Sequence, residues 1–202
     1  MNRPDSYFTI KSQAESETKI KGSRFIGRIF KCCSVAEAEE ILLRIRKEFY
    51  DATHNCFAWK IGIGNTMVFK YSDDGEPSGT AGRPIFDQLE GHNLTDVIII
   101  VTRYYGGTKL GTGGLTHAYS DSASDVIKKA GIVECFITDR FDISLDFSDY
   151  NSVERLIRNE GASITESDFS SNVKLTIEIR LSKLDGLKEK LIDLTSGRVK
   201  FG

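Results

Sequence analysis

Two segments near the middle of the chain contain the residues best suited to bind a charged ligand. The first, residues 72–84, reads "SDDGEPSGTAGRP" and carries almost no apolar surface. Its acidic loop contains Asp73, Asp74, Glu76, Ser78 and Thr80. Carboxylate oxygens are ligands for a hard cation such as Mg²⁺. The same acids could instead pair with a nearby Arg or Lys, or the segment could be a plain solvent loop.

The second segment, "RYYGGTKLGTGGLTHAY", has five glycines among residues 106–114. It follows an apolar strand and precedes a helix, an arrangement in which backbone N–H groups hold anions. Lys109 and Arg103 are donors for phosphate. Leu110 follows Lys109 and Thr116 stands at the third glycine position, so neither GxxxxGK[ST] nor GxGxxG is present. A tight strand-to-helix crossover built with glycine is the alternative interpretation.

An acid facing Arg103 or Lys109 would hold that cation in place, so we expect the two segments to touch as walls of one surface. A tyrosine of this region could stack on an unpaired base. The residues expected to contact nucleic acid or phosphate are Arg83, Arg103, Tyr104, Tyr105, Gly106, Gly107, Thr108, Lys109, Gly111, Gly113, Gly114 and His117. Gly113→Val is expected to damage folding and binding by forcing the backbone.

A nucleophilic Cys–His pair and a set of metal ligands are only weakly indicated by the sequence. His54 and Cys56 are two residues apart on a predicted strand and share a face, so a Cys–His pair is conceivable, although packed strand residues are the more ordinary interpretation. The four cysteines show no CxxC spacing, and no metal ligand set is evident. We therefore expect no cofactor, with magnesium reserved for the case of an enzyme.

The second half of the chain has a regular strand and helix pattern. "RFDISLDF", "ASITESDF", "VKLTIEIRL" and "RVKF" are predicted strands, and residues 148–161 and 182–197 are predicted helices. Their order is βαββαβ, the ferredoxin-like plan. One face of this sheet is left open and could serve as a protein-interaction module.

The first half of the chain has a less regular pattern but also contains predicted strands and helices. Strands are predicted at "SRFIGRIFKC", "HNCFAWKIG", "TMVFKYS" and "DVIIIVTRYY", and helices begin at Ser34 and near Leu115. Trp59 is expected in the core. The boundary lies near residues 131–138, which predicts two domains, 1–135 and 136–202, and an α+β fold class.

Composition excludes several broad classes. The 202 residues include 27 Lys and Arg against 29 acids, a formal net charge of −2. The chain as a whole is not basic, so its net charge does not indicate nucleic-acid binding. A local basic patch is still compatible with this charge balance. The longest apolar run, residues 97–101, is far too short to span a membrane. We expect a cytoplasmic protein with no membrane partner and no sequence-specific binding of DNA.

The two central motifs, "SDDGEPSGTAGRPI" and "VTRYYGGTKLGTGGLTHAY", together resemble the IMPACT family in its bacterial YigZ-type form. "KGSRFIG" and "HNCFAWKIG" are similar to flanking motifs of that family. The resemblance implies an N-terminal ribosomal-protein-S-five-domain-two-like α/β sandwich and a C-terminal ferredoxin-like domain. The same two folds, in the same order, resemble the last two domains of elongation factor G. His117 and Tyr105 depart from the residues expected at their positions, and His117 removes one positive charge.

The resemblance implies a cytosolic protein that regulates translation through RNA or ribosome contact. The kinase-restraining role of eukaryotic members is not carried over, because this sequence shows no RWD domain. The leading expectation is thus a non-enzymatic RNA- or ribosome-binding regulator, with a protein partner also open. The rival is a magnesium-dependent enzyme acting on a nucleotide or phosphorylated substrate.

Overall fold

The computed structural model describes residues 5–202. Within them the chain forms two compact units, one of Tyr7–Cys135 and one of residues 5–6 together with Phe136–Gly202. The strands are β1 (Ser6–Ile10), β2 (Ala14–Ile20), β3 (Ser23–Lys31), β4 (His54–Ile61), β5 (Val68–Ser72), β6 (Val97–Tyr104), β7 (Ile132–Phe136), β8 (Thr138–Leu145), β9 (Ser163–Asp168), β10 (Val173–Arg180) and β11 (Lys200–Phe201). The helices are α1 (Val35–Glu48), α2 (Gly82–Gly91), α3 (Gly111–Ala130), α4 (Tyr150–Asn159) and α5 (Leu184–Leu194).

The first unit is built on an antiparallel five-stranded sheet in the order β2-β3-β6-β4-β5. The central strand β6 is buried on both faces, which explains its continuous apolar run. Ile98 and Ile100 pack in the same core cluster as α1, whereas Ile99 and Val101 pack with α2 and α3. Helices therefore cover both faces of this sheet, as the predicted α/β sandwich requires.

Helix α1 begins where the sequence predicts. The Ser34 hydroxyl accepts a hydrogen bond from the Glu37 amide at 3.2 Å, and the Glu37 carboxylate accepts one from the Cys33 amide at 2.7 Å. These bonds satisfy two backbone donors at the start of the helix. Trp59 is buried in the cluster beneath α1, so its predicted core position is confirmed.

The helices on the other face differ from the sequence expectation. Helix α2 begins at Gly82, inside the segment expected to be a loop, and its Pro84, Ile85 and Phe86 are buried. Helix α3 begins at Gly111, four residues before the predicted start at Leu115. Intrinsic propensity disfavours glycine in helices, but the buried stripe that follows, including Tyr119 and Ala123, extends the helix through its glycine-rich first turn.

The second unit confirms the predicted ferredoxin-like plan. Its antiparallel sheet has the order β11-β8-β10-β9, and one face packs against α4 and α5 through residues such as Leu175, Val153 and Leu187. The opposite face is polar, and there Thr176 donates a hydrogen bond to Asp142 at 2.7 Å. A protein-binding role for this open face stays a prediction.

Asp5 belongs to the second unit although it lies at the other end of the sequence. Its carboxylate accepts hydrogen bonds from Arg180, from the Ser182 hydroxyl at 2.6 Å and from the Ser182 amide at 3.0 Å. Its carbonyl accepts one from the Ile137 amide at 2.9 Å. The bond with Ser182 and the ion pair with Arg180 hold the pKa of Asp5 below its usual value, against the opposing effect of desolvation.

Among the described residues, no helix is long and apolar enough to cross a membrane.

Candidate nucleic-acid interface

The segment between β6 and α3 lies open to solvent. We call residues 105–114 the glycine segment, and every residue from Tyr105 to Gly113 is exposed except Leu110, which is half-buried. No side chain of the described residues caps the start of α3, and its first turn contains no acid. The first-turn N–H groups thus carry the partial positive charge of a helix N-terminus toward solvent.

The glycines of this segment serve different purposes. Gly107 and Gly111 have φ of +87° and +73°, which disfavours other residues, and a Cβ on either would meet open space. Gly113 is helical, and nothing lies within 4 Å of a Cβ built on it. The expectation that Gly113→Val forces the backbone is therefore wrong. A Cβ on Gly114 would lie 3.2 Å from the Leu110 Cβ, closer than an ordinary van der Waals contact, so Leu110 would have to shift by a few tenths of an ångström.

Gly106 joins the glycine segment to a second basic element. A Cβ on Gly106 would lie 1.8 Å from the carbonyl carbon of Gly22, so the two backbones touch directly. Gly22 is at the turn of the β2–β3 hairpin, whose residues 19–24 we call the hairpin tip. The side chains of Lys19, Lys21 and Arg24 are exposed there. The contact at Gly22 brings these cations beside the start of the glycine segment.

The two predicted tyrosines lie at the entrance to the segment. Tyr104 donates a hydrogen bond to Asp51 at 2.8 Å, and the Arg24 guanidinium lies 5.8 Å from its ring centre. Tyr105 is 46% exposed, and its hydroxyl donates to the Gly107 carbonyl at 2.6 Å. Burial, and then Asp51, raises the pKa of Tyr104. Tyr105 thus presents an aromatic face whose orientation is fixed by its hydroxyl.

Thr108, Lys109 and His117 are exposed, so the structure places all three at the surface, as the sequence expects. Arg83 is also exposed but lies on α2, where it donates to Asp87 at 2.7 Å. This bond raises the pKa of Arg83. Arg83 is thus engaged on its own helix, one turn from its partner.

The acidic loop, residues 73–80, is bonded inward. Asp73 accepts hydrogen bonds from the amides of Gly79 at 2.8 Å, Ala81 at 2.9 Å and Gly82 at 2.8 Å. Its carboxylate therefore caps the N-terminus of α2 from nine residues upstream, where a negative charge is favourable. Thr80 is buried and donates to the Pro77 carbonyl at 2.7 Å, whereas Ser78 is exposed.

Asp74 is held by the α1 side of the sheet. It forms an ion pair with Arg46 and accepts a hydrogen bond from the Asn55 amide at 2.7 Å. Its φ of +45° is in the left-handed region, which Asp tolerates better than most residues. The cation that faces Asp74 is therefore Arg46, and not Arg103 or Lys109.

Glu76 and Arg103 form a buried ion pair. Arg103 Nη1 lies 2.6 Å from Glu76 Oε1, and the two side chains are 6% and 3% exposed. Tyr119 donates to the same oxygen at 2.8 Å. Burial, with Cys56 and Glu76 adding to it, raises the pKa of Tyr119, so its hydroxyl keeps the proton that it donates. The expected surface role of Arg103 is thus corrected: its guanidinium is enclosed with a carboxylate.

His54 and Cys56 border the same cluster. His54 Nδ1 lies 2.8 Å from the Asp74 carbonyl, so this nitrogen carries the proton, and Nε2 lies 3.8 Å from Glu76 Oε1. Cys56 is buried, donates to the Asp73 carbonyl at 3.0 Å, and has a pKa raised chiefly by burial. A thiol in this environment is a poor nucleophile. Within residues 5–202 no group of three or more His, Cys, Asp or Glu side chains could hold a metal ion.

Comparison with known proteins assigns the chain to a family. Residues 21–127 match the Impact N-terminal domain, and residues 143–198 match a domain of unknown function, DUF1949. The first match covers more than half of the chain. This chain belongs to the IMPACT family. The matched region begins at Lys21 in the hairpin tip and includes both central segments.

Bacterial relatives match nearly the whole of this IMPACT-family chain, and a mammalian relative matches less than half of it. The IMPACT family member YvyE of Bacillus subtilis (strain 168) is 37% identical over 193 residues, 96% of this chain and 88% of the relative. YigZ of Escherichia coli (strain K12) is 31% identical over 184 residues, 91% and 90% of the two chains. Protein IMPACT of Bos taurus is 32% identical over 85 residues, 41% of this chain and 26% of the relative. A solved structure titled "Crystal structure of an hypothetical protein" is 29% identical, covers 98% of this chain and 97% of its own, and superposes with a TM-score of 0.69.

Sequence reasoning missed the hairpin tip of this IMPACT-family chain. Strand β2 alternates charged and small residues, "AESETKI", and this pattern lacks the apolar face by which a strand is usually found. The signal that could have found it is the pair Lys21-Gly22, which lies between two extended segments. In the structure both residues have positive φ, which is typical of a tight hairpin turn. With the hairpin in place, Lys19, Lys21 and Arg24 join Lys109 as candidate phosphate contacts.

Proposed function

We propose that this IMPACT-family protein takes part in the control of translation in the cytoplasm by binding RNA. The binding surface is formed by the hairpin tip and the glycine segment. The observation that carries the proposal is the backbone contact of Gly22 with Gly106, because it joins a basic tip to a solvent-exposed, uncapped helix start. Lysines and backbone N–H groups at one surface are the groups that bind phosphate.

The electrostatics favour a small number of phosphate contacts. Lys19, Lys21 and Lys109 are exposed, whereas Arg24 is paired with Glu17 at 2.8 Å. That ion pair holds the pKa of Glu17 below its usual value, so the acid stays charged beside the tip. Because the whole chain carries a net charge of −2, attraction to RNA must come from this local surface. The surface has few cations, so affinity should fall only gradually as the salt concentration rises.

An aromatic side chain adds a contact that does not depend on charge. Tyr105 is fixed by its bond to the Gly107 carbonyl, and nearly half of its surface is exposed. Stacking of an unpaired base on such a ring contributes about 1–3 kcal/mol and tolerates any base. A single-stranded or looped RNA fits this surface better than a regular duplex, whose bases are already stacked.

The acidic loop favours RNA binding over a magnesium-dependent reaction. An enzyme that transfers phosphate would use carboxylates to hold the metal ion. Here Asp73, Asp74 and Glu76 are each bonded to groups of the protein. Recruiting them to a metal would uncap α2 or separate a buried ion pair.

The test is a measurement of affinity for single-stranded and ribosomal RNA fragments across salt concentrations. Three phosphate contacts on a single strand predict a slope of log affinity on log salt of about −2. Lys21→Ala and Lys109→Ala should each weaken binding and reduce the slope by about 0.7, the contribution of one contact.

The matched control is Lys129→Ala, the same change at the exposed C-terminal end of α3. It should leave both affinity and slope unchanged. Absence of binding to RNA at low salt, or an equal effect of Lys129→Ala, would overturn the proposal. A thermal shift caused by a nucleotide only when magnesium is present would support the enzyme instead.

A further inference from the structure

The hydroxyl of Ser23, which is fully buried, joins the hairpin tip to the end of β6 and the start of the glycine segment. The Gly106 amide donates to this hydroxyl at 3.2 Å, and Arg103 Nη2 donates to it at 3.2 Å. Arg103 Nη1 donates to Glu76 at 2.6 Å. An unbroken series of hydrogen bonds thus leads from the acidic loop through Arg103 and Ser23 to the backbone of the glycine segment.

The position of Arg103 is unsuited to direct contact with a phosphate. Its guanidinium lies 5.4 Å from the ring centre of Phe25 and 5.5 Å from that of Tyr105. It already faces the Glu76 carboxylate, and only 6% of the side chain is exposed. A phosphate that bound Arg103 would have to displace Glu76 and open the core of the unit. The guanidinium can, however, fix the groups around it.

We propose that Ser23 and Arg103 are positioning residues for the RNA-binding surface and that Glu76 holds Arg103 in the required orientation. This inference rests on the proposed function, since it concerns the same surface. The three residues act without touching RNA. They hold Gly106 against Gly22 and so fix the hairpin tip relative to the glycine segment before RNA arrives.

The geometry of the guanidinium explains why an arginine is needed here. Two of its nitrogens point to different acceptors, Nη1 to the acidic loop and Nη2 to the hairpin tip. A lysine donates from one nitrogen atom on a flexible stem and cannot reproduce the two fixed directions of the planar guanidinium. A surface fixed in advance binds more tightly because less ordering is required on binding. Loss of the Ser23 hydroxyl should therefore weaken RNA binding without removing any phosphate contact.

The decisive variant is Ser23→Ala, studied by amide hydrogen exchange and by RNA affinity. We expect the Gly106 amide to exchange faster by up to about tenfold, the equivalent of one hydrogen bond. Affinity for single-stranded RNA should fall by about three- to tenfold. The slope of log affinity on log salt should stay at its wild-type value, because Ser23 does not contact phosphate.

Ser122→Ala is the matched control, because Ser122 is also a buried serine and its hydroxyl has no partner among the described residues. It should change neither the exchange of Gly106 nor RNA affinity. Lys21→Ala should also weaken RNA binding, but it should reduce the salt slope and leave the exchange of Gly106 unchanged.

The outcomes separate this inference from the proposed function. If the wild-type protein binds no RNA, the proposed function fails. If it binds RNA and Ser23→Ala changes neither Gly106 exchange nor affinity, the positioning role alone is overturned. A reduced salt slope in Ser23→Ala would also overturn it, since that result would indicate a lost phosphate contact.

Discussion

The acidic loop and the glycine segment look alike in sequence but have opposite places in the structure. Both are rich in glycine and poor in apolar side chains. The acidic loop is bonded to the protein by all three of its carboxylates, through Asp73, Asp74 and Glu76. The glycine segment is exposed almost throughout, and its bonds to the rest of the unit are concentrated at Tyr105 and Gly106.

The difference shows that polar composition does not predict exposure. A carboxylate can be buried when it receives enough donors, and the acidic loop receives them from backbone amides, from Arg103 and from Tyr119. The glycine segment has few side chains that could accept or donate inward. The first-turn N–H groups of α3 therefore have no side-chain cap among the described residues. The charges of the acidic loop thus stabilise the fold, whereas the exposed glycine segment is the part to which RNA binding is proposed.

The largest expected effect is on the stability of the first unit. Glu76→Ala leaves Arg103 buried without its carboxylate, and breaking such a pair costs about 3–5 kcal/mol. Urea unfolding followed by the fluorescence of Trp59, the single tryptophan, reports on this unit. Glu39→Ala removes an exposed ion pair with Lys70 and should cost about 0–1 kcal/mol. Equal losses in the two variants would contradict the buried role of Glu76.

A smaller but position-specific effect is expected within the glycine segment. Gly106→Ala forces the Gly22 backbone away and should destabilise the unit by about 1–3 kcal/mol, the usual range for overpacking. Gly113→Ala meets open space in a helix and should stabilise it by up to about 1 kcal/mol. The same urea measurement checks both. A loss of stability in Gly113→Ala would show that the start of α3 is more constrained than its geometry indicates.

The smallest expected effect concerns the cap of α2. Asp73→Ala removes the acceptor for three amides at the start of that helix and should cost about 0.5–2 kcal/mol, as for other N-caps. Ser78→Ala changes an exposed residue of the same loop and should leave the unfolding midpoint unchanged. If Asp73→Ala also leaves the midpoint unchanged, water satisfies the three amides and the Asp73 carboxylate does not stabilise α2.

The parts of the fold with strong periodicity could be predicted from the sequence. The alternation in β8 and β10 and the apolar stripe of α5 lead directly to the ferredoxin-like unit. Helix α2 was not predicted, because its first residues, Gly82-Arg83-Pro84, end a glycine- and proline-rich stretch and its cap, Asp73, lies nine residues before Gly82. Strand β2 was missed because its burial is only partial and its charged residues alternate with small ones, which leaves no apolar face.

The exposure of several candidate site residues could be predicted from the sequence, whereas the burial of Arg103 and the basic hairpin tip could not. Lys109, Thr108 and Tyr105 lie at the surface, where the sequence motif suggests. The burial of Arg103 depends on Glu76, 27 residues earlier, and the basic hairpin tip depends on a contact between Gly22 and Gly106. The contact of Gly22 with Gly106 follows from the register of β3 on β6, and the Glu76–Arg103 pair joins the loop after β5 to β6. Local sequence patterns encode neither pairing.

The place of Asp5 has a practical consequence for dividing the protein. Expression boundaries are usually drawn along the linear sequence, and a cut at residue 135 would give a C-terminal fragment of residues 136–202. That fragment would lack the carboxylate that Arg180 and Ser182 share and the carbonyl that binds Ile137. The folded unit is discontinuous in the sequence. A fragment that reproduces it therefore has to include Asp5 together with the last 67 residues (202 minus 135).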